Sequence, residues 1–87
     1  MAKQNKKNSN LKGTFIFTNY KSLEKKLRKG IRQKWSEVII NDVPEDKIES
    51  VEDWINNNRG KYKGINISLG STYPRKWVLI FSGIDEL

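Results

Sequence analysis

Hydrophobic and polar residues alternate along parts of the chain in the way that β-strands require. The stretch LKGTFIFT places Phe15 and Phe17 on one face and Thr14, Ile16 and Thr18 on the other. Two further stretches, EVIIN and KWVLIFS, are more continuously apolar, which is typical of strands inside a sheet. The pattern predicts four strands, at residues 11–18, 37–41, 64–69 and 76–82, with a turn over 70–75 that joins the last two into a hairpin.

A longer segment, residues 20–35, repeats its apolar residues every three or four positions, which predicts an amphipathic helix. The apolar stripe spans about 120° of arc and consists of Tyr20, Leu23, Leu27, Ile31 and Trp35. Asn19 is a good N-cap for this helix. Gly30 lies at the edge of the stripe and costs about 1 kcal/mol relative to alanine, or else it ends the helix early. We favour the longer helix because Ile31 and Trp35 continue the stripe.

A second amphipathic helix is predicted over residues 45–58, with apolar residues on one face and acidic residues on the other. Pro44 and the acids that follow it indicate a helix start, because acids in the first turn interact favourably with the helix dipole. Ser50, followed by Asp53, is an alternative start with the spacing of a capping box. Residues 58–60 (NRG) indicate the end of the helix.

These elements follow one another as strand, helix, strand, helix, strand, strand. We therefore expect an α+β two-layer sandwich of order βαβαββ, in which a four-stranded mixed sheet carries both helices on one face. The same order of elements is found in Alba-like chromatin proteins and in the C-terminal domain of translation initiation factor 3, which resemble this chain in element order alone. Residues 11–87 are expected to form a single small α/β domain, and residues 1–10 a disordered basic N-terminal arm.

The composition excludes several kinds of chemistry. The 87 residues include no cysteine and no histidine, which excludes disulfides, zinc sites built on these side chains and the commonest general base. The glycines match no phosphate-binding loop. We therefore expect a protein that is not an enzyme and needs no metal or cofactor. The longest apolar run (residues 77–81) is too short to cross a membrane, and the lack of cysteine favours a cytoplasmic location.

Charge is strongly segregated along the chain. Overall, 17 basic residues oppose 10 acidic residues, for a net charge of +7. Residues 1–34 contain 11 basic residues and a single acid, Glu24, whereas residues 35–58 contain seven acids and one lysine. Such a distribution is informative about partners, and its basic part indicates a polyanion such as nucleic acid.

The basic side of the first helix supplies the main candidates for contacts with nucleic acid. Lys25, Lys29 and Arg32 recur at positions i, i+4 and i+7, so they line one side of the helix, and a merely soluble face would mix acids among them. The N-terminal lysines and two clusters of Tyr with Lys or Arg are further candidates, because an aromatic ring stacks on a base while a cation meets a phosphate. The predicted nucleic-acid-binding residues are Lys3, Lys6, Lys7, Lys21, Lys25, Arg28, Lys29, Arg32, Lys61, Tyr62, Lys63, Tyr73, Arg75 and Lys76.

Some of these features also have a purely structural interpretation. Both tyrosines are equally suited to packing over the sheet edge. Trp35, Trp54 and Trp77 lie on apolar faces, which favours packing in the core over base stacking. The acidic side of the second helix, which includes Glu49 and Asp53, is more typical of a solvent-exposed face than of a metal or acid–base site.

Three functional hypotheses follow. The leading one is a small basic non-enzymatic protein that binds DNA or RNA mainly through the phosphate backbone. The alternative is a small protein-binding inhibitor or adaptor module that uses its bipolar charged surface. The third is a small ribonuclease built on Lys, Arg and Tyr, for which no residue has a recognisable catalytic setting. Strandedness, sequence specificity and oligomeric state are left open by the sequence.

Overall fold

The structure is a computed structural model that describes residues 11–72 and 76–87. Its elements follow the predicted order βαβαββ. The four strands are β1 (Lys12–Ile16), β2 (Glu37–Val43), β3 (Asn66–Thr72) and β4 (Lys76–Ser82). The two α-helices are α1 (Tyr20–Gln33) and α2 (Ile48–Asn58), and short 3-10 helices cover Glu45–Lys47 and Ile84–Glu86.

The strands form one mixed sheet in the order β1-β2-β4-β3. β1 and β2 are parallel, as a strand–helix–strand unit requires, while β4 is antiparallel to both β2 and β3. The most apolar strand, β4, therefore lies inside the sheet, and β1 and β3 form its edges. The predicted α+β class, the parallel pair and the hairpin are confirmed.

Both helices pack on the same face of this sheet. Val38 and Phe81 are partners in neighbouring strands, so their side chains point to the same side. Gly30 of α1 lies against Val38, and Trp54 of α2 meets Phe81 edge-on with 6.0 Å between ring centroids. The largest fully buried side chains of the core are Phe81, Leu27, Ile40, Leu79, Ile84, Val38, Val43 and Val51. The predicted two-layer arrangement is confirmed.

Helix α1 begins where the sequence predicts but ends earlier. The Asn19 side chain accepts a hydrogen bond from the backbone N–H of Ser22 at 2.8 Å, which caps the N-terminus. Lys34 adopts a left-handed conformation with φ 57°, and its N–H donates to the carbonyl of Gly30. The prediction that the helix continues to Trp35 is wrong, because this cap turns the chain one residue before the tryptophan.

Trp35 instead folds back over the space that two glycines leave between α1 and β1. A Cβ atom on Gly13 would lie 2.2 Å from the Trp35 ring, and one on Gly30 would lie 3.1 Å from it. The first distance is far below normal carbon–carbon contact, so only glycine at position 13 leaves room for the ring. Gly30 is thus a point of close approach inside the helix and does not end it.

The second half of the chain differs from prediction at its element boundaries. Because a 3-10 helix leads directly into α2, Ser50 lies inside the helix, and the alternative start at Ser50 is wrong. β2 continues past the predicted residue 41 through a bulge, where Asp42 has φ 60°. β3 reaches Thr72, so the first part of the predicted turn belongs to the hairpin ladder instead.

Candidate functional site

The outer side of α1 is a continuous row of cations. Its five exposed basic residues lie within about 100° of arc and over about 17 Å of helix; they are Lys21, Lys25, Arg28, Lys29 and Arg32. The opposite side of the helix is buried against the sheet through Leu23, Leu27 and Gly30. Packing therefore fixes which way the row faces, and the row faces solvent.

These cations have no carboxylate partners in the part of the chain that the structure describes. The ion pairs found there lie elsewhere: Lys12 with Glu37 and Lys76 with Asp42, each at 3.7 Å. Both pairs are substantially exposed, and pairs of this kind contribute little stability. The positive charge of α1 is consequently not neutralised by ion pairing within residues 11–72 and 76–87.

The single acid of α1, Glu24, is used for another purpose. Its Oε2 atom accepts a hydrogen bond from the indole N–H of Trp54 at 3.0 Å. A second contact between the helices joins the hydroxyl groups of Tyr20 and Ser50. Glu24 therefore lies on the side of α1 that faces α2, at the border of the exposed row, and connects the two helices.

Two lysines of α1 lie over aromatic rings at the β1 edge of the sheet. The Nζ atom of Lys26 is 5.0 Å from the centroid of the Phe15 ring, and that of Lys29 is 5.9 Å from the Trp35 ring. The two rings stack at 6.0 Å with an angle of 26° between their planes. Such cation–π contacts are worth about 0.5–1 kcal/mol when exposed, enough to bias where the ammonium groups lie.

This edge was missed by sequence reasoning, which included neither Lys26, Phe15 nor Trp35 among the site residues. The helical spacing gave some signal for Lys26, because it belongs to the same basic helix. The position of Trp35 had no signal, since it depends on the left-handed turn at Lys34. The structure thus adds an aromatic border to the basic row.

Tyr62, predicted as a base-stacking residue, is part of the core. It is only 7% exposed and stacks on Trp54 with 6.4 Å between centroids. Its hydroxyl is buried without a hydrogen-bond partner among the described residues. This burial leaves little of the Tyr62 ring open to a base and favours packing, although the ring packs on Trp54 of α2 and not over the sheet edge as the alternative interpretation expected.

The other predicted residues fall into separate places. Lys61 and Lys63 are exposed beside Tyr62, and the Lys61 ammonium lies 5.6 Å from the centroid of the Tyr62 ring. Lys76 lies at the opposite end of the β3–β4 ladder, so the two clusters do not form one site. The remaining predicted residues lie outside the described part of the chain: Lys3, Lys6, Lys7, Tyr73 and Arg75.

The outer side of α2 and the turn before it carry the opposite charge. Its exposed acids are Glu45, Asp46, Glu49, Glu52 and Asp53. No group of three or more acidic residues within the described ranges is arranged to hold a metal ion. The helix layer therefore presents a basic half and an acidic half side by side.

The tryptophans contribute to packing. Trp54 is 9% exposed, whereas Trp35 and Trp77 are half-buried against the core. The predicted preference for core packing is thus confirmed for Trp54 and holds in part for the other two. None of the described helices is long and apolar enough to cross a bilayer.

Comparison of the chain with models of known protein families, with curated proteins and with solved structures finds no match.

Proposed function

We propose that the protein is a small, non-enzymatic nucleic-acid-binding protein whose α1 cations contact the phosphate backbone. The observation that carries this proposal is the row of five exposed cations without carboxylate partners in the described residues. A protein surface that serves solubility alone mixes charges of both signs. A row of positive charges complements a partner that carries a regular row of negative charges, such as the phosphates of nucleic acid.

The chemistry of this interaction is electrostatic. Each phosphate that a lysine or arginine neutralises releases condensed counterions, so that affinity falls as salt rises. Contacts with about five phosphates give a slope of about −4.5 for log K against log salt on duplex DNA. Lys26, which lies over Phe15, adds a sixth cation at the β1 border of the row, beside Lys29 over Trp35.

The acidic half of the helix layer gives this binding a direction. The exposed acids of α2 repel phosphates, so they disfavour any orientation that brings α2 against the backbone. α1 and α2 share one sheet face, and their contacts with each other are made by Tyr20, Ser50, Glu24 and Trp54. We expect bound nucleic acid to follow α1 and to leave α2 free.

The test is binding of the full chain to labelled duplex DNA, single-stranded DNA and RNA, followed by fluorescence anisotropy. The triple variant K25E/K29E/R32E should lose binding to all three ligands. The matched control K47E/K61E/K63E makes the same change in net charge at exposed residues outside α1. It includes Lys61 and Lys63, which the sequence also predicts as contacts, and it should retain most of the affinity because the proposal assigns the main contacts to α1. Equal losses in the two variants would show that net charge, and not α1, determines binding, which overturns the proposed site.

A second candidate function is a protein-binding module. The observation that favours it is the bipolar helix layer, whose basic and acidic halves suit a partner of opposite pattern and fast, steered association. The distinguishing experiment is a pull-down after nuclease treatment. A protein partner retained by the full chain, together with no binding of the pure protein to any nucleic acid, would favour this function over the first.

A further inference from the structure

A groove runs between α2 and the edge strand β3, on the side of the molecule away from α1. It has a volume of about 300 Å³ and is lined by Glu52, Ile55, Asn56, Arg59, Ile67, Leu69 and Trp77. Ile55 is buried at its base, whereas Ile67, Leu69 and Trp77 are only half-buried. The groove thus exposes apolar surface next to an open strand edge.

The edge strand beside this groove lacks the features that normally protect a sheet edge. β3 is seven residues long and contains no charged residue and no proline (NISLGST). Natural proteins usually shorten, charge or cover such edges, because their unpaired backbone groups bind other strands. The opposite edge, β1, is shorter at five residues and carries Lys12 in an ion pair with Glu37. The described residues provide no fifth strand for β3.

Two residues of opposite charge, Glu52 and Arg59, line the groove. Glu52 of α2 and Arg59, the residue that directly follows the helix and keeps its backbone conformation, are seven positions apart, so they lie on the same side about 10 Å from each other along the axis. Ile55, close to the midpoint between them, lines the groove together with Leu69, the central residue of β3. A two-fold axis that passes near Ile55 and Leu69 would place Glu52 of one copy opposite Arg59 of a second copy, and the reverse.

From these observations we infer that β3 and the groove beside it form a homodimer interface, in which β3 pairs antiparallel with β3 of a second copy. Pairing around Leu69 uses all seven residues of each strand and continues the sheet across the two molecules. Such an isologous contact requires a surface that is complementary to itself. Glu52 and Arg59 provide this complementarity, because each can face the opposite charge of the second copy. This inference goes beyond the proposed function and does not rest on it.

The second copy is favoured over a strand from another protein by the paired charges. Any extended strand can bond to the backbone of β3, but only a partner with a basic and an acidic group at matching positions satisfies both ends of the groove. The chain itself provides both groups at that separation. The half-buried Ile67, Leu69 and Trp77 would then be covered, which removes apolar surface from water.

The experiment is analytical ultracentrifugation of the full chain, purified free of nucleic acid, over concentrations from about 5 to about 500 µM, which span the affinities usual for weak dimers. We expect a concentration-dependent species of twice the 10.2 kDa chain mass. E52K and R59E should each weaken the dimer by about tenfold or more, because each sets like charges against each other twice. The double variant E52K/R59E restores opposite charges and should bring back most of the affinity.

Two control variants separate this interface from general charge effects. D53K changes the charge as E52K does, and K63E as R59E does, but neither residue lines the groove; both should dimerise like the unaltered chain. A chain that stays monomeric throughout the concentration range would overturn the inference. A dimer that E52K and R59E leave intact, or that the controls weaken equally, would also overturn it, because the contact would then lie elsewhere.

Discussion

The two helices lie on the same face of one sheet, yet they present opposite charges to solvent. α1 exposes five cations, whereas α2 and the turn before it expose five acids. The contacts described between the helices are two hydrogen bonds, from Trp54 to Glu24 and between Tyr20 and Ser50, and the stacking of the Tyr20 and Trp54 rings. Packing and charge are therefore independent here: the inner sides of the helices determine how they pack, and the outer sides carry opposite charges without affecting that packing.

The helices also differ in how they reach the sheet. α1 approaches closely at Gly30, where a Cβ would lie 2.6 Å from a methyl group of Val38. α2 is held by a large side chain, since Trp54 stacks on Tyr20 and Tyr62 and meets Phe81 edge-on. The packing of α1 therefore depends on the absence of a side chain at Gly30, and that of α2 on the large side chain of Trp54. Substitutions can test the two separately.

The largest effect is expected at Trp54. W54A removes the ring that contacts three other aromatic residues and should lower the free energy of unfolding by about 3–5 kcal/mol, measured by urea denaturation. The control W54F keeps an aromatic ring for packing but loses part of the indole and the N–H that donates to Glu24, so it should cost less, about 2 kcal/mol. Equal losses would show that the hydrogen bond, and not the ring, holds α2 in place.

A smaller loss is expected from G30A in α1. Alanine favours a helix by about 1 kcal/mol over glycine, but the added methyl group must displace Val38, and overpacking of this kind costs about 1–3 kcal/mol. The net result should be a destabilised protein in the same urea experiment. G60A is the matched control, because nothing lies within 4 Å of its Cβ position. A stabilised G30A protein would contradict the close approach of α1 to the sheet.

Much of the fold could be predicted from local patterns. The apolar stripe and Asn19 identify the start of α1, and the order of elements predicts a mixed sheet with a parallel pair. The end of α1 could not be predicted in this way, because Lys34 adopts a left-handed conformation that lysine intrinsically disfavours. The bulge at Asp42 is likewise determined by pairing with β4, which local patterns do not contain.

The candidate site was predictable only where it depends on a single element. The basic row of α1 follows from helical spacing, so sequence reasoning found it. The burial of Tyr62 could not be predicted from the local pattern, because it depends on Trp54, a residue of another element. Lys26 was left out of the site because its aromatic neighbour, Phe15, comes from β1. Contacts between different helices and strands cannot be read from local sequence patterns, and these contacts determine which side chains are exposed to a ligand.

The smallest effect is expected from E24Q, which sharpens the contrast between the helices. Its amide oxygen still accepts the hydrogen bond from Trp54, so the free energy of unfolding should change by less than about 1 kcal/mol. Removing the only acid of α1 should raise affinity for duplex DNA by about two- to threefold at low salt, measured by anisotropy. Reduced affinity would contradict the view that α1 binds through its positive charge.

The central claim, that the α1 cations bind phosphates, is tested most directly by the salt dependence of duplex DNA binding in the unaltered chain and in K25Q/K29Q/R32Q. The account predicts a slope of log K against log salt of about −4.5 for the unaltered chain, and of about −1.8 after three of about five phosphate contacts are removed. Equal slopes for the two proteins, or a flat response in the unaltered chain, would contradict it.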